Sequence, residues 1–249
     1  MQIILQTFAA CYEAIRAGKL IEKHSQQDKE YQFQNWFKER LESLSEPFDE
    51  PGRNVYPDFR MVGHQVGFEL KGLQTPGRIA DYDSNSQVPR GSHRGREVYY
   101  VFGRYDKEPI DPKKYPVFDL VVCHGDFLNA DHSYEHKNKS FRGFGSYGDI
   151  MIRDRKMYVC PTPYTLAEGT EGQITLIVPE KFELTSDYEV VGKLTRIECD
   201  ELIISYEFDL STNKLIVHNM ANPNAGKEHK FIACRLKKEI GPPVILREQ

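Results

Sequence analysis

Ten residues separate Asp58 from the triplet Glu69-Leu70-Lys71, and together these groups suit hydrolysis of a phosphate ester. Two carboxylates and the backbone carbonyl of Leu70 make an all-oxygen ligand set of the kind Mg²⁺ takes, with positions left for water and phosphate. Lys71 adds a positive charge at the same spot. The groups meet only if the chain doubles back between them. Asp58 to Met61 and Val66 to Leu70 read as two short strands, and Gly63 lies where a turn must form. Side chains alternate faces along a strand, so Glu69 and Lys71 point one way and Leu70 points into a core on the other. Pairing as a hairpin then sets Asp58 alongside Glu69. Pro-Asp dipeptides and Glu-x-Lys triplets each turn up by chance in loops and on polar strand faces. Their separation, the apolar Val66, Phe68 and Leu70 around the triplet, and an amphipathic segment upstream raise the pattern above chance.

The elements that would position this hairpin lie on both sides of it. Thr7 to Lys23, with Phe8, Cys11, Ile15 and Leu20 near helical spacing, predicts an amphipathic helix. Lys29 to Leu44 predicts a second, because Phe33, Trp36, Phe37, Leu41 and Leu44 share one face. That spacing makes the single tryptophan a core residue. Glu97 to Tyr105 reads as a third strand, and the apolar run Val117 to Cys123 as a fourth, buried on both faces. From His124 to Arg142 the chain turns polar and reads as a long functional loop. Beyond Pro161 only strands are expected, over 173–178, 188–198, 202–209, 214–217 and 230–235. The predicted fold class is α/β or α+β: a mixed sheet flanked by helices, with a β-rich C-terminal part. Two organisations fit. One has a catalytic core over 1–160 and a β-rich subdomain over 161–249 for DNA recognition or dimerisation, divided within 161–172. The other is a single sheet that continues through both.

Pro57-Asp58 and Glu69-Leu70-Lys71, set in the order helix, hairpin, third strand and fourth strand, resemble the PD-(D/E)xK nuclease superfamily and above all its type II restriction endonucleases. The resemblance covers mainly residues 29–125. It implies a restriction-endonuclease-like core in which Asp58 and Glu69 bind a divalent metal and Lys71 positions or activates the attacking water. The chain departs from the pattern at one place. Many members carry a further Glu on the helix before the Pro-Asp strand, whereas Phe33-Gln34 stands here where Phe-Glu is expected, and Glu30 is the nearest substitute. The expected function is a Mg²⁺-dependent, sequence-specific endonuclease of double-stranded DNA. A homodimer would match the twofold symmetry of a duplex site. A structure-specific repair or resolution nuclease would use the same three side chains. A non-catalytic DNA-binding module would have no reason to keep them.

DNA would be held by two segments. Arg78, Arg90, Arg94 and Arg96 lie on glycine-rich stretches between the triplet and the third strand, where backbone can approach phosphate and arginine can clamp it or read guanine. Lys137, Lys139 and Arg142 interleave with Phe141, Phe144 and Tyr147, a pattern suited to a nucleic-acid strand or groove. A solvated loop is the plainer reading of the same charges. His124, Asp126 and Asp149 are candidates for further metal ligands, although such residues more often cap turns at strand ends. Glu207 and Asp209 read as an exposed strand face.

Composition sets the outer limits. The chain has 249 residues, 39% hydrophobic and 28% charged, which is ordinary for a folded globular protein. Its net charge of −4 gives no global basic field, so any DNA contact must be a local cleft. Five scattered cysteines with no Cys-x-x-Cys pair argue against a disulfide scaffold or zinc site and fit a reducing cytoplasm. The opening Met-Gln-Ile-Ile-Leu-Gln does not read as a signal peptide, and no segment is apolar for long enough to span a bilayer.

Overall fold

The computed structural model describes residues 2–22, 32–50, 52, 55–85, 88–106, 114–130, 146–154, 157–209, 211–239 and 241–248, with backbone alone at 85, 151–154, 157 and 205–208. In chain order the first elements are α1 (Gln2–Arg16), β1 (Leu20–Glu22), α2 (Gln32–Ser43), β2 (Phe48–Asp49), β3 (Phe59–Met61) and β4 (Val66–Thr75). Next come β5 (Asp81–Asn85), β6 (Ser92–His93), β7 (Arg96–Asp106), β8 (Lys114–His124), α3 (Gly125–Leu128), β9 (Met151–Asp154), β10 (Met157–Pro161) and α4 (Pro163–Leu166). The last are β11 (Ala167–Glu168), β12 (Ile174–Pro179), β13 (Tyr188–Ile197), β14 (Glu201–Asp209), β15 (Lys214–Ala221), β16 (Glu228–Leu236) and β17 (Ile245–Leu246).

These elements form an α+β fold around a mixed sheet of ten strands. Its path runs β13-β16-β12-β8-β7-β4-β3-β2, with β1 paired to β8 and β6 to β7. The pairs β4 with β7 and β8 with β12 are parallel, and the others along the path are antiparallel. Both faces of the sheet are buried, which is why β8 reads as a nearly continuous apolar run, broken only by Asp119 between Val117 and Cys123. On one face α1 and α2 cover Phe68, Leu70, Tyr99, Val101, Leu120 and Val122. On the other, Tyr100, Phe102, Val121 and Cys123 pack against Tyr82, Tyr158 and Cys160 from the small sheet β5-β10-β9 and against α3 and α4.

The expected order of helix, hairpin, third strand and fourth strand is present as α2, β3–β4, β7 and β8. Trp36 is 2% exposed and stacks on Phe33, as its helical spacing predicts. The first helix differs from expectation at both ends. It starts at Gln2 because Ile3, Ile4 and Leu5 are buried against the sheet, and it ends before Gly18, whose φ of +66° is a left-handed stop. The expected helical stretch around Leu20 is instead the edge strand β1. Of the C-terminal strands, β12, β13 and β16 join the large sheet, whereas β11–β17 and β14–β15 are two-stranded sheets of their own. β12 pairs with β8 from Ile174–Leu120 to Ile177–Cys123, so residues before and after 161 share one sheet. Part of the stretch read as a long loop is α3, and Lys137, Lys139 and Arg142 lie outside the described residues.

Candidate active site

A glycine pair brings α2 close to the hairpin. Gly72 and Gly103 face each other across β4 and β7, and Phe33 lies over both. A Cβ at Gly72 would fall 2.9 Å from Phe33 Cβ, and one at Gly103 would collide with the Phe33 ring. The adjacent residue, Gln34, therefore reaches the hairpin and donates from Nε2 to Asp58 Oδ1 at 3.1 Å. A third glycine shapes the other side. Gly67 lies under Pro57, where any Cβ would strike the proline ring, so the Pro-Asp segment lies flat on β4.

The β3–β4 register pairs Phe59 with Phe68 and Arg60 with Gly67, and Asp58 immediately precedes β3. Asp58 Oδ2 accepts the Leu70 backbone N–H at 2.8 Å. Lys71 and Glu69 share a face, and Lys71 Nζ donates to Glu69 Oε1 at 2.7 Å. Leu70 packs on the helix side among Phe68 and Val101. The predicted residues Asp58, Glu69, Leu70 and Lys71 thus come together.

Electrostatically the pair of carboxylates is matched by one cation. Burial works against the Lys71 charge, but attraction and a hydrogen bond from Glu69, with further attraction from Asp58, more than offset it and raise the ammonium above its ordinary 10.5. Its stabilising contribution is therefore complete below the ordinary lysine range and is lost only as pH rises through the raised folded value. Lys71 Nζ lies 5.6 Å from the centre of the Tyr82 ring, in cation–π range. Tyr100, opposite Glu69 in the parallel register, shares a 2.9 Å hydroxyl contact with Tyr56. Burial, followed by neighbouring groups that include Glu69, pushes the Tyr82 and Tyr100 phenols far up. Both are neutral hydroxyls at physiological pH.

Tyr56, Tyr82, Tyr100 and the function of Gln34 were not anticipated from sequence. Tyr56 adjoins the Pro-Asp pair and Tyr100 alternates onto the Glu69 face, so both carried a signal. Tyr82 carried none, because Asp81-Tyr-Asp-Ser-Asn85 has no apolar alternation.

The arginines near the site are placed differently from one another. Arg78 pairs with Asp81 and with Asp83 of β5, the latter at 3.0 Å, so its charge is balanced locally. Arg96 donates to the carbonyls of Met61 and His64 at 2.7 and 2.9 Å and clamps the β3–β4 turn. Arg90 is half-buried, with its carbonyl accepting from the Tyr56 hydroxyl at 3.3 Å. Arg94 is exposed at the tip of the β6–β7 hairpin, where it and Gly95 have φ of +51° and +77°. Two successive left-handed residues are the signature of a type I′ turn. Gly91 owes its identity to packing: its N–H donates to Asp126 Oδ1 at 3.1 Å, and a Cβ would strike Asp126 and His124. His124 caps α3 by accepting from the Asp126 N–H, and Asp149 pairs with Arg196. The turn and pairing functions of these residues are what the structure displays.

The donor set suits Mg²⁺, a hard cation usually held by one or two carboxylates together with water. Among the described residues no group of three or more His, Cys, Asp or Glu is placed to hold a metal. All five cysteines are free. Among the described residues no helix is long and apolar enough to cross a membrane. Comparison with protein-family models, with curated proteins and with solved structures finds no match to this chain.

Proposed function

We propose that this protein is a Mg²⁺-dependent, sequence-specific endonuclease of double-stranded DNA, of the type II restriction class, acting as a homodimer. One observation carries the reading: Asp58, oriented through Gln34 and the Leu70 N–H, lies beside the Glu69–Lys71 pair on the next strand, close enough for its charge to act on the Lys71 ammonium. Asp58 and Glu69, with the Leu70 carbonyl, would hold the metal; bound there, it supplies Lewis acidity toward a phosphate oxygen and a water of lowered pKa. Two N–H donors fix the Asp58 carboxylate, so it need not reorganise during the reaction. Lys71 keeps a positive charge where in-line attack builds negative charge on the phosphate, and its contact with Glu69 orients it. Arg94, exposed on the β6–β7 turn, is the described arginine best placed to meet a phosphate backbone.

Incubation of the purified protein with plasmid and Mg²⁺ tests this. Discrete bands with constant ends are expected, and excess EDTA should abolish them. Asp58→Ala, Glu69→Ala and Lys71→Ala should each lower cleavage by about 10² or more, because the three act as a unit. Wild-type rates in all three variants would overturn the assignment of the site. Cutting confined to junctions or flaps would instead favour a structure-specific nuclease, and retarded but intact DNA a binding module.

A further inference from the structure

Among the described residues the β14–β15 hairpin pairs with no other strand: it is a two-stranded sheet of its own. All eight residues of β15 are exposed, among them Leu215 at 55%, Val217 at 44%, Ile216 at 40% and Met220 at 39%. Leu215 and Val217 lie on one face and Ile216 and Met220 on the other, so neither face of β15 is covered. An isolated two-stranded ribbon is marginal in water, and contiguous exposed apolar surface marks an interaction site.

The two edges of the ribbon differ. β14 carries a bulge between Ile203 and Ser205 and the sequence acids Glu201, Glu207 and Asp209, features that discourage further strand pairing. β15 has no bulge of its own and has Lys214 and His218 as its basic residues. Three acids against one lysine give residues 201–221 a balance of −2, which is unfavourable for contact with phosphate. This charge favours protein as the occupant, and the edge of β15 is complementary to itself. Twofold antiparallel pairing sets each residue opposite one of equal parity, with the axis passing through a single residue. Centred on Val217, it places Val217 against Val217, Ile216 against His218, Leu215 against Asn219 and Lys214 against Met220, with no like charges opposed. Centred one residue earlier, Lys214 would face His218. The Val217 register also joins Leu215 and Val217 of both copies into one apolar strip.

We propose that β15 is a self-association edge: in solution two copies of this chain pair antiparallel through β15 about a twofold axis at Val217, forming a four-stranded β14-β15-β15-β14 sheet. This assigns a surface that the nuclease reading leaves open, and it holds whether or not the chain cuts DNA.

Sedimentation of the full chain without DNA, between about 1 and 100 µM, is the test. The expected result is a two-chain species in wild type. Val217→Lys sets two charges directly opposite each other and should weaken association by about tenfold or more. Val217 is already exposed, so at concentrations where both proteins are single chains the variant should melt at the wild-type temperature. Val217→Cys should give a covalent dimer on mild oxidation, reversed by reductant and not formed by wild type. A single-chain wild type at every concentration, a Val217→Lys variant as associated as wild type, or a Val217→Cys variant that stays uncrosslinked would each overturn the proposal.

Discussion

Gln34 supplies a neutral donor to the Asp58 carboxylate. A hydrogen bond to a charged group contributes about 1.5–3 kcal/mol, so Gln34→Ala should loosen Asp58 and slow single-turnover cleavage by about tenfold or more. Unchanged single-turnover kinetics would show that Asp58 is oriented without Gln34. Gln34→Glu should lower the melting temperature of the metal-free protein more than Gln34→Ala does, since two carboxylates would then face each other without a proton donor between them. The three predicted side chains were legible because a two-residue period and one turn fix their mutual placement. Gln34 was legible only as a departure from a pattern. Its contact with Asp58 depends on Phe33 settling over Gly72 and Gly103, a long-range fit that no local spacing encodes.

The glycine pair couples α2 to the sheet, so the helix and the site should fail together. Gly103→Ala inserts a methyl group into the Phe33 ring and should cost about 1–3 kcal/mol of stability. Its melting temperature should fall, and cleavage measured well below that temperature should fall as well, because α2 carries Gln34. A variant that melts lower yet cuts normally would separate the two effects. Long periodic elements were readable in advance: α2, β7 and β8 follow their helical or apolar patterns to within a few residues at either end. β5 was not. Its acidic sequence lacks a strand signature, and it is a strand because β10 offers a pairing edge from Met157–Asn85 to Pro161–Asp81. Tertiary context decided that segment, as it often does for β structure.

At the scale of the whole molecule, the sheet crosses the point where the sequence suggests a boundary. Arg104 and Asp119 form a buried ion pair whose remaining acceptor capacity is filled by the Tyr164 hydroxyl at 2.9 Å and the Gly172 N–H at 2.7 Å. Both donors lie beyond residue 160. A chain ending at Cys160 would leave that pair undersatisfied and expose the β8 edge, and each buried hydrogen-bond partner lost typically costs about 1–3 kcal/mol. It should be insoluble or rapidly proteolysed; a cooperative thermal transition in that fragment would show that the first 160 residues fold alone. The continuity was hidden in the sequence because the parallel β8–β12 pairing is remote and its turn-rich connection looks like a linker. The ends of the large sheet carry another consequence. One is β2, only two residues long; the other is β13, which is bulged between Val190 and Gly192 and carries Glu189, Lys193 and Arg196. Neither offers a smooth template for an incoming strand, so growth of the sheet into a fibre is blocked at both ends and aggregation through it is suppressed.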